Sequence, residues 1–583
     1  MIPRPQRSTS PRPHGALITA CLCLLLALPG TRLHAQSEHV PAVHPVHDFL
    51  DRLHVRGILP DYSRASLPLV RGDVTRLLRR ADSLHASARI HLSETEAALL
   101  ARYVDEFVKE EDGTQDAVVL FGTSDARRIG DGTPTSGAHR SFPGEAFSDR
   151  EKFLYRWTSG DRSTTMFMEL LGSAEARVLP HEGGTPGVVL GQIGGRFRGT
   201  IGTHFGYGLQ ATNGTIFGNR EVALADPVLR QNANFSDFGR DYFDITEAYV
   251  SARWGWGDAS IGRETILLGV SPVSRAVIGT GAPTFDAVRL NAHAGVLRFS
   301  FLHGALLGDW SLVDGGYRPF YHNKFIAAHR LEVDAARWLR LGVFETVIYA
   351  RRDLDLAYLN PVNFYKSAEH AAGDRDNPML GFDLQVLLGD GHQLHGTWTI
   401  DDVDFSRMGT GWWGNKFLWQ IGMTSHALVP DMDLTAEYTR IEPYVFSHTL
   451  ADNEYTHKGY TLALDLAPNS DAWMLRVRRW FGDRLLVSLS GEYRRHGRNA
   501  VSDTGLVRNN GGDIATRFVW GRDPEYTPFL NGPLETQAIV GLAFRWEPLR
   551  NYVFDVAYRY RRFGGVRTRD DDHFLSLLFD LQF

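Results

Sequence analysis

The final twelve residues constrain the fold most. In DHFLSLLFDLQF, Leu575, Leu577, Phe579, Leu581 and the terminal Phe583 share one face, and Ser576, Asp580 and Gln582 the other. The preceding segment sets Tyr552, Phe554, Val556, Tyr558 and Tyr560 against Asn551, Asp555, Arg559 and Arg561. Earlier still, Ala538, Val540, Leu542, Phe544 and Trp546 oppose Gln537, Gly541 and Arg545. Each run has one greasy and one wet face at period two, with aromatics near its ends. From Gly113 onward that period persists. A soluble sandwich also alternates, but its strands average about five or six residues, whereas runs of ten to thirteen recur here with full charges on the wet face. A long greasy face needs lipid, and a sheet in lipid satisfies its edges by closing. The expected fold is therefore an all-β transmembrane barrel, antiparallel, with an even strand number of about eighteen.

Composition permits this and excludes the helical alternative. The 583 residues are 43% hydrophobic and 22% charged, and the mean hydropathy is -0.23. A polytopic helical protein needs spans of about 20 apolar residues each, whereas a barrel averages its two faces to a middling value. The links alternate accordingly. Short ones fall near Gly389-Asp390-Gly391, Val429-Pro430-Asp431, Phe481-Gly482-Asp483 and Pro548-Leu549-Arg550, and long ones at 214–241, 265–283, 304–323, 351–375, 403–414 and 497–534. Short turns are expected to face the periplasm and long loops the exterior. The up-down parity of the strands breaks between Pro443 and Asn531, so one strand there is miscounted.

The first residues read as an export signal. Arg4, Arg7 and Arg12 precede an apolar run from Ala16 to Leu28, and Leu33-His34-Ala35 offers a cleavage site. Cleavage after Ala35 removes Cys21 and Cys23, the only two cysteines, together with four arginines, so the remainder is more acidic than the net -6 of the whole chain. That balance argues against a nucleic-acid partner. Residues 1–35 are thus assigned to a signal peptide, 36–112 to a small periplasmic α-helical region and 113–583 to the barrel with long extracellular loops. In the helical region Phe49, Leu50, Leu53 and Val55 cluster before Gly57, Val74, Leu77, Leu78 and Ala81 share a face, and Ser93 with Glu96 forms a capping box.

Catalysis finds no positive support. Asp570-Asp571-Asp572-His573 is the best acid/base group, and a solvated loop tip explains it better. His293, His303, His392 and His395 lack metal-ligand spacing, and no nucleophile elbow or phosphate loop appears. No cofactor or metal is expected. Glycan binding suits the outer loops better. One loop holds Tyr358, Asn360, Asn363 and Tyr365, followed by Asp376 and Asn377; a later one holds Asp401, Asp402, Asp404 and the pair Trp412-Trp413. Aromatic faces stack on sugar rings while Asn and Asp bind hydroxyls. The same residue types also furnish interfacial girdles and turns. Arg196, Arg198, Arg476, Arg478, Arg494 and Arg545 could instead line the lumen of a porin or polysaccharide export channel.

Three stretches carry a family resemblance. HPVHDFLDRLHVRGILPDYSRASLPLVRGDVTRLL is similar to the helical opening of the Wzi-type capsule assembly proteins. Gly262-Arg263 through Leu268-Gly269 to Ser274-Arg275 and Ala282-Pro283-Thr284-Phe285 is similar to that family's glycine-loop run. Asp376-Asn377 with Gly381-Phe382-Asp383 and Asp401-Asp402 forms the third. Where the family commonly has a Trp-Gly-Pro-Gly-like stretch, this chain reads Leu268-Gly269-Val270-Ser271. The resemblance implies a non-enzymatic outer-membrane barrel of about eighteen strands, occluded by its loops. It would bind capsular polysaccharide or exopolysaccharide, lectin-like, at the cell surface. The closing aromatic resembles the recognition signal of bacterial outer-membrane barrels. It implies barrel assembly machinery as a partner through Phe583, beside outer-membrane lipid and lipopolysaccharide.

Overall fold

Eighteen long strands, among the described residues, form the wall of a closed antiparallel barrel in the computed structural model. The structure describes residues 36–121, 142–180, 184–224, 226, 229, 233–234, 241–313, 318–501, 507–566 and 571–583. The expected signal peptide and Asp570 lie outside these residues. The first wall strand is Thr165–Val178 and the last is Asp572–Gln582, and these two pair from Leu575↔Val178 to Gln582↔Leu171. Closure leaves no long edge to recruit another chain.

The expected alternation is realised in the wall. On Asn377–Gly389, Asp383 and Gln385 are buried toward the lumen while Phe382 and Leu384 are exposed outward. On His392–Asp402, Gln393, His395, Thr397, Thr399 and Asp401 are all buried. Two expected links behave differently. Most of 304–323 is wall, because Leu297–Val313 and Arg318–Ala336 pair through it with a register shift between Leu307 and Trp310. The parity break resolves as one long loop, which joins Met432–Ile441 to Ser470–Phe481 and carries only the two-residue pairing of Thr456–His457 with Tyr460–Thr461.

The seam is made in two pieces. The last strand ends level with Leu170, where the Phe583 N–H donates to the Leu170 carbonyl at 2.8 Å. Glu151–Thr158 continues the line, pairing Tyr155↔Met168 to Thr158↔Thr165 lower on the same strand. Ala117–Phe121 adds a parallel neighbour. Through-going wall thus starts at Thr165, and residues between the helical region and that point patch the seam. Phe583 is buried against Val118 and Ala146 in this patch.

The helical region fills the mouth at the short-turn end. It comprises α1 (Val46–Val55), α2 (Arg71–Ala86) and α3 (Glu94–Tyr103). Ser93 makes the capping box, its Oγ accepting from the Glu96 N–H at 3.1 Å and its own N–H donating to Glu96 Oε2 at 3.0 Å. Phe49, Leu50, Leu53, Val74, Leu77, Leu78, Ala81, Leu99 and Leu100 form its core. Its polar surface is bonded to the wall. Arg52 joins Glu96 (2.7 Å) to Asp433 (2.6 Å), Arg478 meets Asp48 and Asp433, and Arg340 donates to the carbonyls of Tyr62 and Pro60 at 2.9 Å.

On the side of strands Phe285–Ala294 to Ser470–Phe481 the lumen above this plug is packed. The segment after Gly257–Glu264, expected outside, folds inward. Leu267 and Leu268 pair with Leu67 and Ser66 of the plug, and Arg275 donates to the Arg64 carbonyl at 2.8 Å. From above, Gly279 donates to the Leu462 carbonyl at 2.8 Å and Tyr455 to that of Val277 at 2.9 Å. Ile266, Leu268, Val277 and Ile278 thereby join Phe446, Tyr455, Leu462 and the inward side chains Leu302, Ile326, Phe344 and Leu418 in one apolar core. The apolar residues of that segment, unlike those of a solvated loop, have a place to be buried only inside the ring.

Candidate functional site

At the long-loop end, two loops meet edge to edge. Residues 403–415 connect His392–Asp402 to Lys416–Ser425, and residues 498–533 connect Leu485–Gly497 to Leu534–Leu549. Thr527 donates to the Gly411 carbonyl at 2.7 Å and Trp413 to that of Glu525 at 2.9 Å, with a bridge pairing Trp412 with Tyr526. The second loop is shaped by Asn509. Its Nδ2 donates to the carbonyls of Thr516 and Arg517 and to Asp523, and Asp523 also accepts from the Val519 N–H at 2.8 Å.

This docking assembles an aromatic shelf. Trp413 stacks on Phe518 with centroids 3.9 Å apart and planes 5° off parallel. Trp520 stands edge-on to both, at 5.6 Å from Trp413 and 5.3 Å from Phe518, and Tyr444 closes the far side. Arg407 lies over the Trp412 ring at 4.7 Å. A Cβ on Gly414 would sit 2.4 Å from that ring, so glycine lets the indole lie against the chain. Trp520 remains 61% exposed and Tyr526 55%, while Phe518 is buried as the foundation. Asp402, Ser406, Thr410, Arg517 and Glu525 are exposed nearby on the same loops. Fixed aromatic faces beside carboxylates, hydroxyls and guanidinium groups can stack on a ring's apolar face and hydrogen-bond its hydroxyls.

The capsule assembly protein Wzi family model matches residues 193–571. The chain belongs to that family. Among solved structures, Wzi, an outer membrane protein involved in group 1 capsule assembly in Escherichia coli and a carbohydrate-binding β-barrel, aligns with a TM-score of 0.55 at 12% identity, over 94% of this chain and 99% of that one. Pseudomonas aeruginosa OprD aligns at 0.40 with 11% identity over 72% of this chain and 95% of that one. OpdK with vanillate, from the same organism, reaches 0.41 with 11% identity over 71% and 99%. No curated protein sequence matches.

The two sets of sequence-expected glycan residues fall in different places. Trp412 and Trp413 are half-buried in the shelf, Asp402 is exposed beside it, and Asp404 caps a short 3-10 turn by accepting from Ser406. Asp401 is buried, accepting the Phe446 N–H at 2.7 Å with Lys416 at 3.6 Å. The other set lies on a loop folded against the outer wall. There Tyr358, Tyr365, Asp376 and Asn377 are buried. Tyr358 donates to Asp376 at 2.7 Å, Arg352 grips both Asp376 oxygens at 2.6 Å, and Asn377 donates to the Asn453 carbonyl. Asn363 donates to the Ala357 carbonyl, and Asn360 accepts from Val362. Of this second set only Asn360 is exposed.

Sequence reasoning missed Phe518, Trp520, Tyr526, Tyr444 and Arg407. The turn signals Asn509-Asn510-Gly511-Gly512 and Trp520-Gly521-Arg522-Asp523-Pro524 mark a structured loop, but which loop it docks against is a long-range matter. The lumenal arginines are engaged rather than free. Arg196 and Arg198 bind Glu169, Arg494 binds Glu492 and Arg545 binds Asp555. Arg476 donates to the Pro272 carbonyl. Likewise His573 meets the Tyr558 hydroxyl at 2.7 Å and Asp572 pairs with Arg561, as expected of a strand-end tip.

Proposed function

We propose that this barrel binds capsular polysaccharide or exopolysaccharide at the cell surface and holds it there without catalysis, through the shelf of Trp412, Trp413, Trp520 and Tyr526. The observation that carries the reading is the exposed, rigidly backed aromatic shelf at the outer rim of the barrel. Family membership and the carbohydrate-binding character of the aligned E. coli structure support it. A repeating polymer offers many copies of one epitope, so modest single sites give firm retention through effective concentration. Arg407, Asp402 and Asp404 supply the polar complement, and outer-membrane lipid surrounds the wall.

The cleanest test is Trp520→Ala combined with Tyr526→Ala, because both rings are exposed and neither carries the stack. Losing two stacking faces at about 0.5–1.5 kcal/mol each lowers single-site affinity roughly five- to 150-fold. Cells carrying the variant then shed polysaccharide into the medium while barrel abundance stays constant. Unchanged retention together with unchanged binding by the purified barrel refutes the shelf as the site. The companion variant Trp412→Ala with Trp413→Ala extends the test to the two residues expected from sequence.

A further inference from the structure

The loop of residues 351–376 does not rise from the rim. It folds back over the outer face of the wall. Along Leu339–Ala350 the outward side chains are Leu341, Val343, Glu345, Val347 and Tyr349; the first two are exposed and the last three buried. What buries them is the loop. Tyr358 and Tyr365 pack on Val347, Tyr349 and Ala327, and the Tyr365 N–H donates to Glu345 Oε2 at 3.0 Å. The Tyr365 ring lies 4.4 Å from His329, itself 3.1 Å from Glu345. His303 meets the Tyr349 hydroxyl at 2.9 Å.

Height follows from strand length. About nine to eleven tilted residues cross the hydrocarbon, and Leu339–Ala350 has twelve, so Glu345 to Tyr349 fall in the upper part of the crossing. Bare to lipid there, Glu345 and His329 would be costly, and the loop is their cover. Four large apolar side chains of the loop are themselves exposed. Leu354 is 55% exposed, Leu356 74%, Val362 81% and Phe364 54%. On the strands beneath, the cross-strand pair Val343 and Phe382 also faces lipid. The backbone is suited to such a place, since the N–H groups of Ala357, Tyr358, Leu359, Val362 and Asn363 all donate within the loop. Irregular chain does not face lipid within the hydrocarbon itself, and exposed Arg351, Asp353, Asn360, His370, Asp374 and Arg375 set the loop at the headgroup boundary rather than deeper.

We infer that residues 351–376 form an interfacial lip whose Leu354, Leu356, Val362 and Phe364 insert among the acyl chains of outer-leaflet lipid. The lip anchors the outer rim at a fixed height in the membrane. This role is independent of glycan binding and concerns a loop that sequence reasoning assigned to glycan.

The test uses the full chain with Cys21 and Cys23 replaced by Ser, carrying either Val362→Cys or, as a water-facing control on the outer rim, Ala515→Cys. Each is labelled with an environment-sensitive fluorophore and reconstituted in phosphatidylcholine vesicles with or without brominated acyl chains. Val362 is largely exposed, so its substitution leaves the fold intact. The label at position 362 is expected to be quenched by brominated chains, because an interfacial segment buries its apolar face at the headgroup/acyl boundary, and to resist aqueous iodide, with the control showing the reverse. Iodide quenching at 362 equal to that of the control overturns the proposal, because the loop then stands in water. Protection from both quenchers also overturns it, since a second protein copy then covers the patch.

Discussion

At the residue scale, the shelf depends on small things that permit large ones. Gly414 is a glycine because the Trp412 indole lies where its Cβ would be, 2.4 Å from ring carbons. Gly414→Ala forces the indole aside at a cost of about 1–3 kcal/mol of overpacking. The expected result is roughly tenfold weaker polysaccharide binding and a changed near-ultraviolet circular dichroism, with the barrel's melting little altered; unchanged binding would show that the Trp412 position is immaterial. The sequence put Trp412 and Trp413 on one loop with Asp402 and Asp404, and the structure finds the two indoles in one aromatic cluster there. Trp520 and Tyr526 were not readable. They lie over a hundred positions downstream, and only the hydrogen bonds between Gly411 and Thr527 and between Trp413 and Glu525 bring them alongside. Tyr358, Tyr365 and Asp376 were misleading for the converse reason. An aromatic or carboxylate in a loop carries no local mark of which way it faces.

At the element scale, the helical plug is where charge and packing are most entangled. In α1, burial pushes the His47 imidazole down to about 3, with His44 adding to the effect, and burial with nearby Arg340 pushes His54 down to about 4. Both are depressed below the ordinary 6.5 of an unfolded chain, so the unfolded plug binds protons first as pH falls. Their contribution is complete above pH 6.5 and is lost progressively from there toward pH 3 to 4. At pH 5 each costs about 2 kcal/mol. Protease access to α1 and α2 in the purified barrel should therefore rise between pH 7 and pH 5 while the wall strands stay protected. Equal protection at both values would place these histidines in wetter surroundings than the geometry shows. The helices themselves were legible because the 3.6-residue period and the Ser93 box are local signals. Their seat inside the barrel mouth was not, since Arg52 to Asp433 spans most of the chain.

At the scale of the whole molecule, the plug and the inward-folded segments narrow the lumen. The inward segment after Glu264 and the loop containing Phe446, Tyr455 and Leu462 above it share one core, and the plug below, with a core of its own, joins that segment through the pairing of Leu67 and Ser66 with Leu267 and Leu268. In planar bilayers the purified protein is expected to give no large steady current; a stable open conductance would contradict the packing and favour a channel. The sequence by itself determined the barrel. A side-chain period of two over long runs can be satisfied in lipid only by a closed antiparallel sheet, and that rule acts on residues that are neighbours in the chain. It determined the strand number closely, and the helical appendage with it. Only the tertiary structure decided what fills the ring, which outer loop joins which, and which turns back onto the wall. Those outcomes depend on contacts between residues hundreds of positions apart, where apolar segments such as Leu267–Ile278 find burial inside, and Glu345 finds cover outside. No local pattern encodes the meeting.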